Sequence, residues 1–417
     1  MVAPLIYNIF PRLAGALPQW IKWADSAKNM GFNWIYFNPF FETGLSGSLY
    51  AIKDYFSVDP AFVSSLNIKG IEELQETMLE IRQKGLKVMF DLVVNHTSID
   101  CPLVKSHPEW FKLDEEGTPV HPQAIDPADA RKITVWGDLY EIDNEESSDL
   151  EGLYNYWEGF VDTCVHLGAS GFRCDAAYKV PAALWKRLIA RAEKTAGEKV
   201  PFFAETLGCT LEEVEALKDA GFSYLYNSGK YWNFDASWAI EQHTSFGEIA
   251  PSVGFPESHD TPRLAKDVDC NIKIAMQRYI FGMAFSEGFQ ITMGFEYGWT
   301  KKPDVVSMTS DDQEGHCWDM TDFIRQANAL KLSVPVMGEE GIFDNITRFE
   351  APTIILKKTS RFGHAPLYII INKDWNNKQW IEMPVNLEIC RPFQGDFEFR
   401  SSDRWIELDQ AEVVFGR

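Results

Sequence analysis

Residues 87–96 read KVMFDLVVNH and residues 171–175 read GFRCD. Each is a short apolar run that ends in charged or hydrogen-bonding residues. Lys87–Val94 is almost continuously apolar, as a strand is when both its faces are buried, and this points to a parallel sheet covered by helices. Just upstream, Ile71, Leu74, Met78 and Ile81 recur at helical spacing, and Gly85 closes that helix. Before it, Leu5–Ile9 and Trp34–Phe37 read as strands, with a helix at Trp20–Met30 ending at Gly31. Downstream, Leu153, Trp157, Phe160, Val161 and Cys164 lie on one helical stripe, and Gly171–Cys174 is the next strand. Strands at Phe202–Ala204, Tyr224–Tyr226, Val253–Pro256 and Phe289–Met293 follow, with helices at Ala182–Ala196, Leu211–Ala220, Ile272–Phe285 and Asp322–Leu330.

Strands that alternate with helices on this scale pair in parallel through crossover helices. Eight such units predict an α/β fold, a closed (β/α)8 TIM barrel. An open doubly wound sheet is the second choice, but no Gly-rich phosphate turn follows the first strand. The rhythm breaks over residues 97–152, which are rich in Pro, Asp and Glu. This is read as a short insertion after strand three, and loops of that kind usually serve function. From residue 333 the texture changes again, with strands expected at Thr353–Lys358, Leu367–Ile371, Trp380–Met383 and Phe397–Phe399. A barrel domain over 1–332 and a small C-terminal antiparallel β domain over 333–417 result. Two cores also suit a chain of 417 residues, which is long for one.

Lys and Arg number 39 against 61 Asp and Glu, a formal charge of −22. Such a surface repels nucleic acid and anionic membranes, and neither is expected as a partner. Nothing in the composition speaks to the oligomeric state. The N-terminal MVAPLIYNIFPRLAG lacks the pattern of a signal peptide, and no apolar run is long enough to span a bilayer. The seven cysteines are scattered, form no CxxC pair and are odd in number. Reduced, mostly buried thiols in a cytoplasmic protein are therefore expected, and zinc is not. The 14 Trp residues suit a large core. They also leave rings that could stack on the apolar CH faces of a sugar.

In a barrel of this kind, reactive side chains stand at the C-terminal ends of strands. Those ends carry Asp91, Asn95 and His96, then Arg173 and Asp175, then Glu205, then Glu257, His259 and Asp260. A lone strand-end acid usually caps the next helix, and a lone His is usually a satisfied core residue. A convergent set has a different meaning. Cleaving a glycosidic bond takes one carboxylic acid to protonate the leaving oxygen and a second carboxylate to attack the anomeric carbon, roughly 5–5.5 Å apart in retaining enzymes. Ends of adjacent strands can meet that spacing. Arg173 and Asp175 face the same side of their strand, so the guanidinium favours an ionised Asp175. Glu205, as the acid, calls for a less cationic and drier setting.

These segments resemble the conserved regions of the α-amylase family, glycoside hydrolase family 13. DLVVNH (91–96), GFRCD (171–175), the Glu of FFAET (202–206) and the HD of ESHDT (257–261) match in order and spacing. WIYFNPFFET (34–43), YAIKDY (50–55) and MGFEYG (293–298) agree too. The resemblance covers roughly residues 1–335, and the β tail fits it. It implies Asp175 as nucleophile, Glu205 as acid/base and Asp260 as the carboxylate that distorts and stabilises the bound sugar. Arg173 would pair with Asp175, His96 and His259 would bind sugar hydroxyls, Tyr50 would stack on the reacting glucose, and Asp54 and Asp91 would support. The family is retaining and needs no organic cofactor.

Three departures stand out. Tyr178 and Lys179 replace a frequent Lys-His, which alters the acceptor-side subsites and removes a His that helps hold calcium. Asn95 stands where the family has another calcium ligand, so a calcium ion there is admitted rather than required. Ser258 replaces a frequent Asn. HPEWF (107–111), WGDLYEIDN (136–144) and LYAIKDYF (49–56) are closer to the bacterial maltosyltransferase branch. The expected activity is retaining hydrolysis of α-1,4-glucans or maltooligosaccharides. α-Glucan transfer, of maltosyltransferase or glucanotransferase type, is the alternative, and a non-catalytic glucan-binding protein is the remote one.

Overall fold

Apart from Lys87, every residue of the eight barrel strands is buried, which is what near-continuous apolar runs require. The strands are β1 (Leu5–Ile9), β2 (Trp34–Phe37), β3 (Lys87–Leu92), β4 (Gly171–Cys174), β5 (Phe202–Ala204), β6 (Tyr224–Tyr226), β7 (Ser252–Gly254) and β8 (Gly288–Thr292). They pair in parallel and in chain order, and β1 closes the ring, with Ile6 opposite Trp34 and Leu5 opposite Phe289. The computed structural model describes residues 2–65, 70–126 and 129–417; side chains at 124–126, 129, 130 and 132 lie outside that description, as do Met1 and the part of the insertion at 127–128.

Eight helices cover the barrel: α1 (Leu17–Asn29), α2 (Gly70–Gln83), α3 (Leu150–His166), α4 (Ala182–Ala196), α5 (Leu211–Glu215), α6 (Trp238–Phe246), α7 (Ile272–Phe285) and α8 (Thr321–Ser333). α4 and α7 have the predicted bounds. α5 starts at Leu211 as expected, behind a Thr210–Glu213 capping box, but ends at Glu215, before the predicted Ala220. α6 has no predicted counterpart. It buries only Ala239, His243 and Phe246, too few apolar residues for a visible stripe.

Alternation along each strand builds the interior in layers. Ile6, Trp34, Met89, Phe203, Tyr224 and Val253 form one inward cluster. Leu5, Ile35, Val88 and Phe172 point outward into the helix-side core. Gly171 is needed in the inward layer: a Cβ there would stand 2.9 Å from Pro201 O and 3.0 Å from the Trp34 ring. The same alternation sends Asp91, two residues past Met89, and Arg173, two past Gly171, into the next layer, at the C-terminal mouth.

The insertion has order of its own. His96–Ser98 pairs antiparallel with Leu139–Glu141, and Gln123–Asp126 with Asp129–Val135. After α8 come β9 (Ile342–Asn345), β10 (Thr353–Thr359), β11 (Leu367–Asn372), β12 (Gln379–Glu382), β13 (Glu388–Arg391), β14 (Asp396–Ser401), β15 (Trp405–Leu408) and β16 (Val413–Gly416). Four of these match predicted strands. All eight belong to two packed antiparallel sheets, one ordered β9-β10-β11-β16-β13-β14 and the other β12-β15, with Ile355, Ile370, Ile381, Ile406 and Val414 between them.

Buried ionic groups fasten these sheets to the N-terminal ends of β7 and β8. Lys331 Nζ donates to Met283 O, Ser286 O and Met337 O at 2.6, 2.9 and 2.5 Å. Lys358 Nζ donates to Ala284 O at 2.9 Å. Glu340 Oε2 accepts from Ser252 N at 2.9 Å and Ser252 Oγ at 3.0 Å. Burial pulls the Lys358 ammonium down to about 8.

The reading of the cysteines is corrected at one pair. Cys270 and Cys317, 47 residues apart in sequence, are joined by a disulfide, because the loops after β7 and β8 bring their Cα atoms to 5.6 Å. Cys101, Cys164, Cys174 and Cys390 are buried free thiols, and Cys209 is a half-buried one. Among the described residues, no helix is long and apolar enough to cross a membrane.

Candidate active site

Arg173, the penultimate residue of β4, is almost fully buried and touches three carboxylates. Its Nη1 lies 2.9 Å from Asp91 Oδ1 and 2.6 Å from Asp175 Oδ1, and its Nη2 lies 2.9 Å from Glu205 Oε2. Parallel register explains the grouping: Arg173 stands beside Asp91 on β3 and Phe203 on β5, and Glu205 directly follows β5. Ala176, just past Asp175, takes a left-handed conformation (φ 40°) that is uncommon outside glycine. In that position its N–H donates to Glu205 Oε2 at 2.8 Å. The less cationic setting expected for Glu205 is therefore not what forms, because one guanidinium reaches both members of the pair. Burial raises the Asp175 pKa well above the carboxylate range, and the charges of Glu205 and Asp91 add to it against the pull of Arg173.

Across the mouth, Tyr50 links the supporting groups. Its hydroxyl donates to Asp91 Oδ2 at 2.8 Å and lies 2.7 Å from His259 Nε2. Tyr36 OH also donates to Asp91 Oδ2, at 2.6 Å, and Asn38 Nδ2 donates to both tyrosine oxygens. His259 Nε2 lies 2.9 Å from Asp260 Oδ2, whose side chain is 50% exposed to the cleft. Burial works against the Asp260 carboxylate, but His259, by charge and hydrogen bond, outweighs it and holds the group well below the usual range. Half of the Asp260 side chain is open to solvent, so that desolvation is partial and the ionised form is favoured. His96 is buried, and burial pushes its ring down to about 4, so it is a neutral imidazole at physiological pH.

A cleft of about 440 Å3 opens over this group. Tyr50, Asn95, His96, Asp175, Tyr178, Lys179, Glu205 and Asp260 all line it. Arg173 and Asp91 lie beneath. Asp54 is not brought in; its carboxylate accepts from Phe56 N at 2.8 Å and Ser57 Oγ at 2.9 Å in a local turn. Glu257 is also turned away, bound to Arg263 Nη1 at 2.6 Å and Leu264 N at 2.7 Å. Sequence reading missed Asn38, although it lies within the quoted WIYFNPFFET, and missed the cleft residues Val305 and Val306, whose side chains carry no chemical signal. Trp136, quoted only as part of a stretch, forms part of the wall.

Asn95 is the residue that the family resemblance offers to calcium. Its Oδ1 is buried without a partner, as is that of Asn144, whose Nδ2 donates to Val94 O at 2.8 Å. Calcium takes roughly six to eight oxygens, usually with carboxylates among them. Two neutral amide oxygens do not make such a centre. The described group that combines three His, Asp or Glu side chains at metal-binding spacing is His107, Glu109 and Asp149, and it does not include Asn95.

The chain is similar to known proteins in both sequence and fold. Residues 4–120 match the family model described as glycogen debranching enzyme, glucanotransferase domain. An alpha-1,4-glucan:maltose-1-phosphate maltosyltransferase of Burkholderia pseudomallei is 26% identical over 388 residues, 89% of this chain and 33% of that protein. A maltogenic alpha-amylase of Bacillus acidopullulyticus is 23% identical over 92% of this chain and 66% of its own length. The chain thus spans about a third of the first relative and about two thirds of the second. In fold, an alpha-amylase from Lactobacillus plantarum superposes with a TM-score of 0.77 at 18% identity, covering 99% of this chain and 98% of that one. In sequence the similarity to these relatives runs along 89–92% of this chain, and in fold it runs along 99% of it.

Proposed function

We propose that this cleft cleaves α-1,4-glucosidic bonds of α-glucans or maltooligosaccharides with retention of anomeric configuration. The observation that carries the reading is the single guanidinium that gathers Asp91, Asp175 and Glu205 under an open cleft, with Asp260 facing them. Negative charge in excess of positive suits a transition state with oxocarbenium character. Asp175 attacks the anomeric carbon while Glu205 gives its proton to the leaving oxygen. A glycosyl ester on Asp175 forms as the glycosidic bond breaks. Glu205, now a carboxylate, takes a proton from the incoming hydroxyl, which attacks the same carbon and frees Asp175. Asp260 stabilises the positive charge, and neutral His96 offers one ring N–H and one lone pair to sugar hydroxyls. Each proton in this scheme moves between side chains already named and the substrate, so no organic cofactor is called for, and a calcium ion, if bound, would be structural. A cytoplasmic site of action is part of the proposal: five of the seven cysteines are free thiols, and the Cys270–Cys317 disulfide is the feature that weighs against it.

One observation favours transfer to a sugar over transfer to water. Trp136, Leu139, Val305 and Val306 give the cleft an apolar wall, suited to hold a sugar face and exclude water. Tyr178 and Lys179 add a ring and a donor. Two relatives fit the two outcomes, one named as a maltosyltransferase and one as an amylase. Incubation with maltoheptaose, with and without inorganic phosphate, separates them. Shorter products alone mean hydrolysis, products longer than maltoheptaose mean transfer, and maltose phosphate formed only with phosphate identifies a sugar-phosphate donor. Early NMR spectra should show the α-anomer; a β-anomer as first product would overturn the retaining mechanism.

A further inference from the structure

Most Trp side chains of this chain are buried, yet two of the most exposed share one small sheet. Trp380 on β12 is 63% exposed and Trp405 on β15 is 54% exposed. In the antiparallel register Trp380 faces Glu407 and Glu382 faces Trp405, so both rings lie on one face as a diagonal pair, roughly 7–8 Å apart at the backbone. Ile381 and Ile406 point the other way, into the core between the sheets. A groove of about 320 Å3 opens beside the two rings, with Lys378, Ser402, Asp403 and Glu407 among its lining. It shares no lining residue with the catalytic cleft.

We infer that the Trp380–Trp405 face is a second carbohydrate site, which binds a stretch of α-glucan chain away from the catalytic cleft. An exposed ring pair offers flat apolar faces to pyranose CH groups, and covering those faces releases the water held against them. Most of the surrounding charge is already paired: Lys378 Nζ lies 2.9 Å from Glu407 and 3.0 Å from Asp409, and Arg391 Nη2 lies 2.6 Å from Glu412. The groove therefore keeps little free charge beyond Asp403, and its carboxylates, hydroxyl and ammonium supply the mixed acceptors and donors that a neutral polyol takes. A second copy of the chain is a poor occupant, because each carries −22 and Glu382 and Glu407 interrupt the apolar face. An α-glucan as ligand rests on the function proposed for the cleft.

The test uses the full chain in native gels containing glycogen, beside turnover of maltoheptaose in solution. Trp380→Ala and Trp405→Ala should each weaken glycogen retardation by about tenfold in apparent Kd, the double variant should lose it, and Trp→Phe at both positions should keep most of it. Maltoheptaose turnover should be unchanged in all of them. Undiminished retardation of the double variant would overturn the proposal, as would a dimer of the natural chain that the double variant abolishes. If the natural chain fails to cleave or transfer maltoheptaose, the reading of the cleft falls, while the gel still reports on the groove.

Discussion

Two guanidinium groups are buried at the same end of the barrel, and they do opposite work. Arg263, in the loop after β7, meets one carboxylate, Glu257. Two further donors end on backbone carbonyls, Nη2 on Met293 O at 2.9 Å and Nε on Lys301 O at 3.2 Å. That group is neutral in sum, satisfied and closed. Arg173 meets three carboxylates, and the cleft opens over them. Its surroundings keep an excess of negative charge that no protein group cancels. Burial and ion pairing are common to both, so neither marks a site. The uncancelled charge beside open space does.

Substitution tests that contrast directly. Asp175→Asn should lower kcat by on the order of 10^4-fold or more, because an amide cannot form the ester. Its urea midpoint should stay the same or rise, since one of three crowded charges is gone. Activity within tenfold of the natural chain would remove Asp175 from the role of nucleophile. Arg263→Met should behave in reverse. Leaving Glu257 buried and unpaired costs about 3–5 kcal/mol of stability, read as a lowered urea midpoint, while the folded fraction loses far less activity than Asp175→Asn. Equal loss of activity in both variants would erase the distinction.

A smaller effect concerns pH. The ring of His96 titrates near 4 in the folded chain and near 6.5 when unfolded. Between these values the unfolded state binds the extra proton, so stability rises with pH across that window. The contribution is complete above about 6.5 and fully lost below about 4, amounting to about 3 kcal/mol. His96→Asn should flatten the stability–pH curve there by that amount relative to the natural chain. An unchanged curve would mean that the ring is charged in the fold. The smallest effect belongs to Asn95: chelation with EDTA should move the melting temperature by less than about 2 °C. A larger drop would show that its orphaned oxygen serves a cation.

Much of this was legible in the chain. Continuous apolar runs give the strands away because both faces are buried, and all eight were found within a residue or two. Asp91, Arg173, Asp175, Glu205, His259 and Asp260 follow from strand ends. What stayed hidden depends on three dimensions. Asp54 and Glu257 are acids like the others in sequence; only the fold shows them turned into a local turn and onto Arg263. Cys270 and Cys317 meet because two loops converge, which no spacing reveals. Asn38 matters through two tyrosine hydroxyls, and Val305 and Val306 through shape alone. α6 was silent because it buries so little.

The ionic fastening beneath the barrel has a consequence for anyone who shortens this chain. Lys331 lies before residue 332, yet one of its three carbonyl acceptors belongs to Met337. Ser252 at the foot of β7 is held by Glu340, and the end of α7 is bonded by Lys358. A cut at residue 332 would thus not release a smaller catalytic unit. It would strip an ammonium group of part of its shell, free the base of two barrel strands and expose the apolar side of a sheet's former seat. The C-terminal sheets are the floor on which the barrel stands, and the two should denature in one transition.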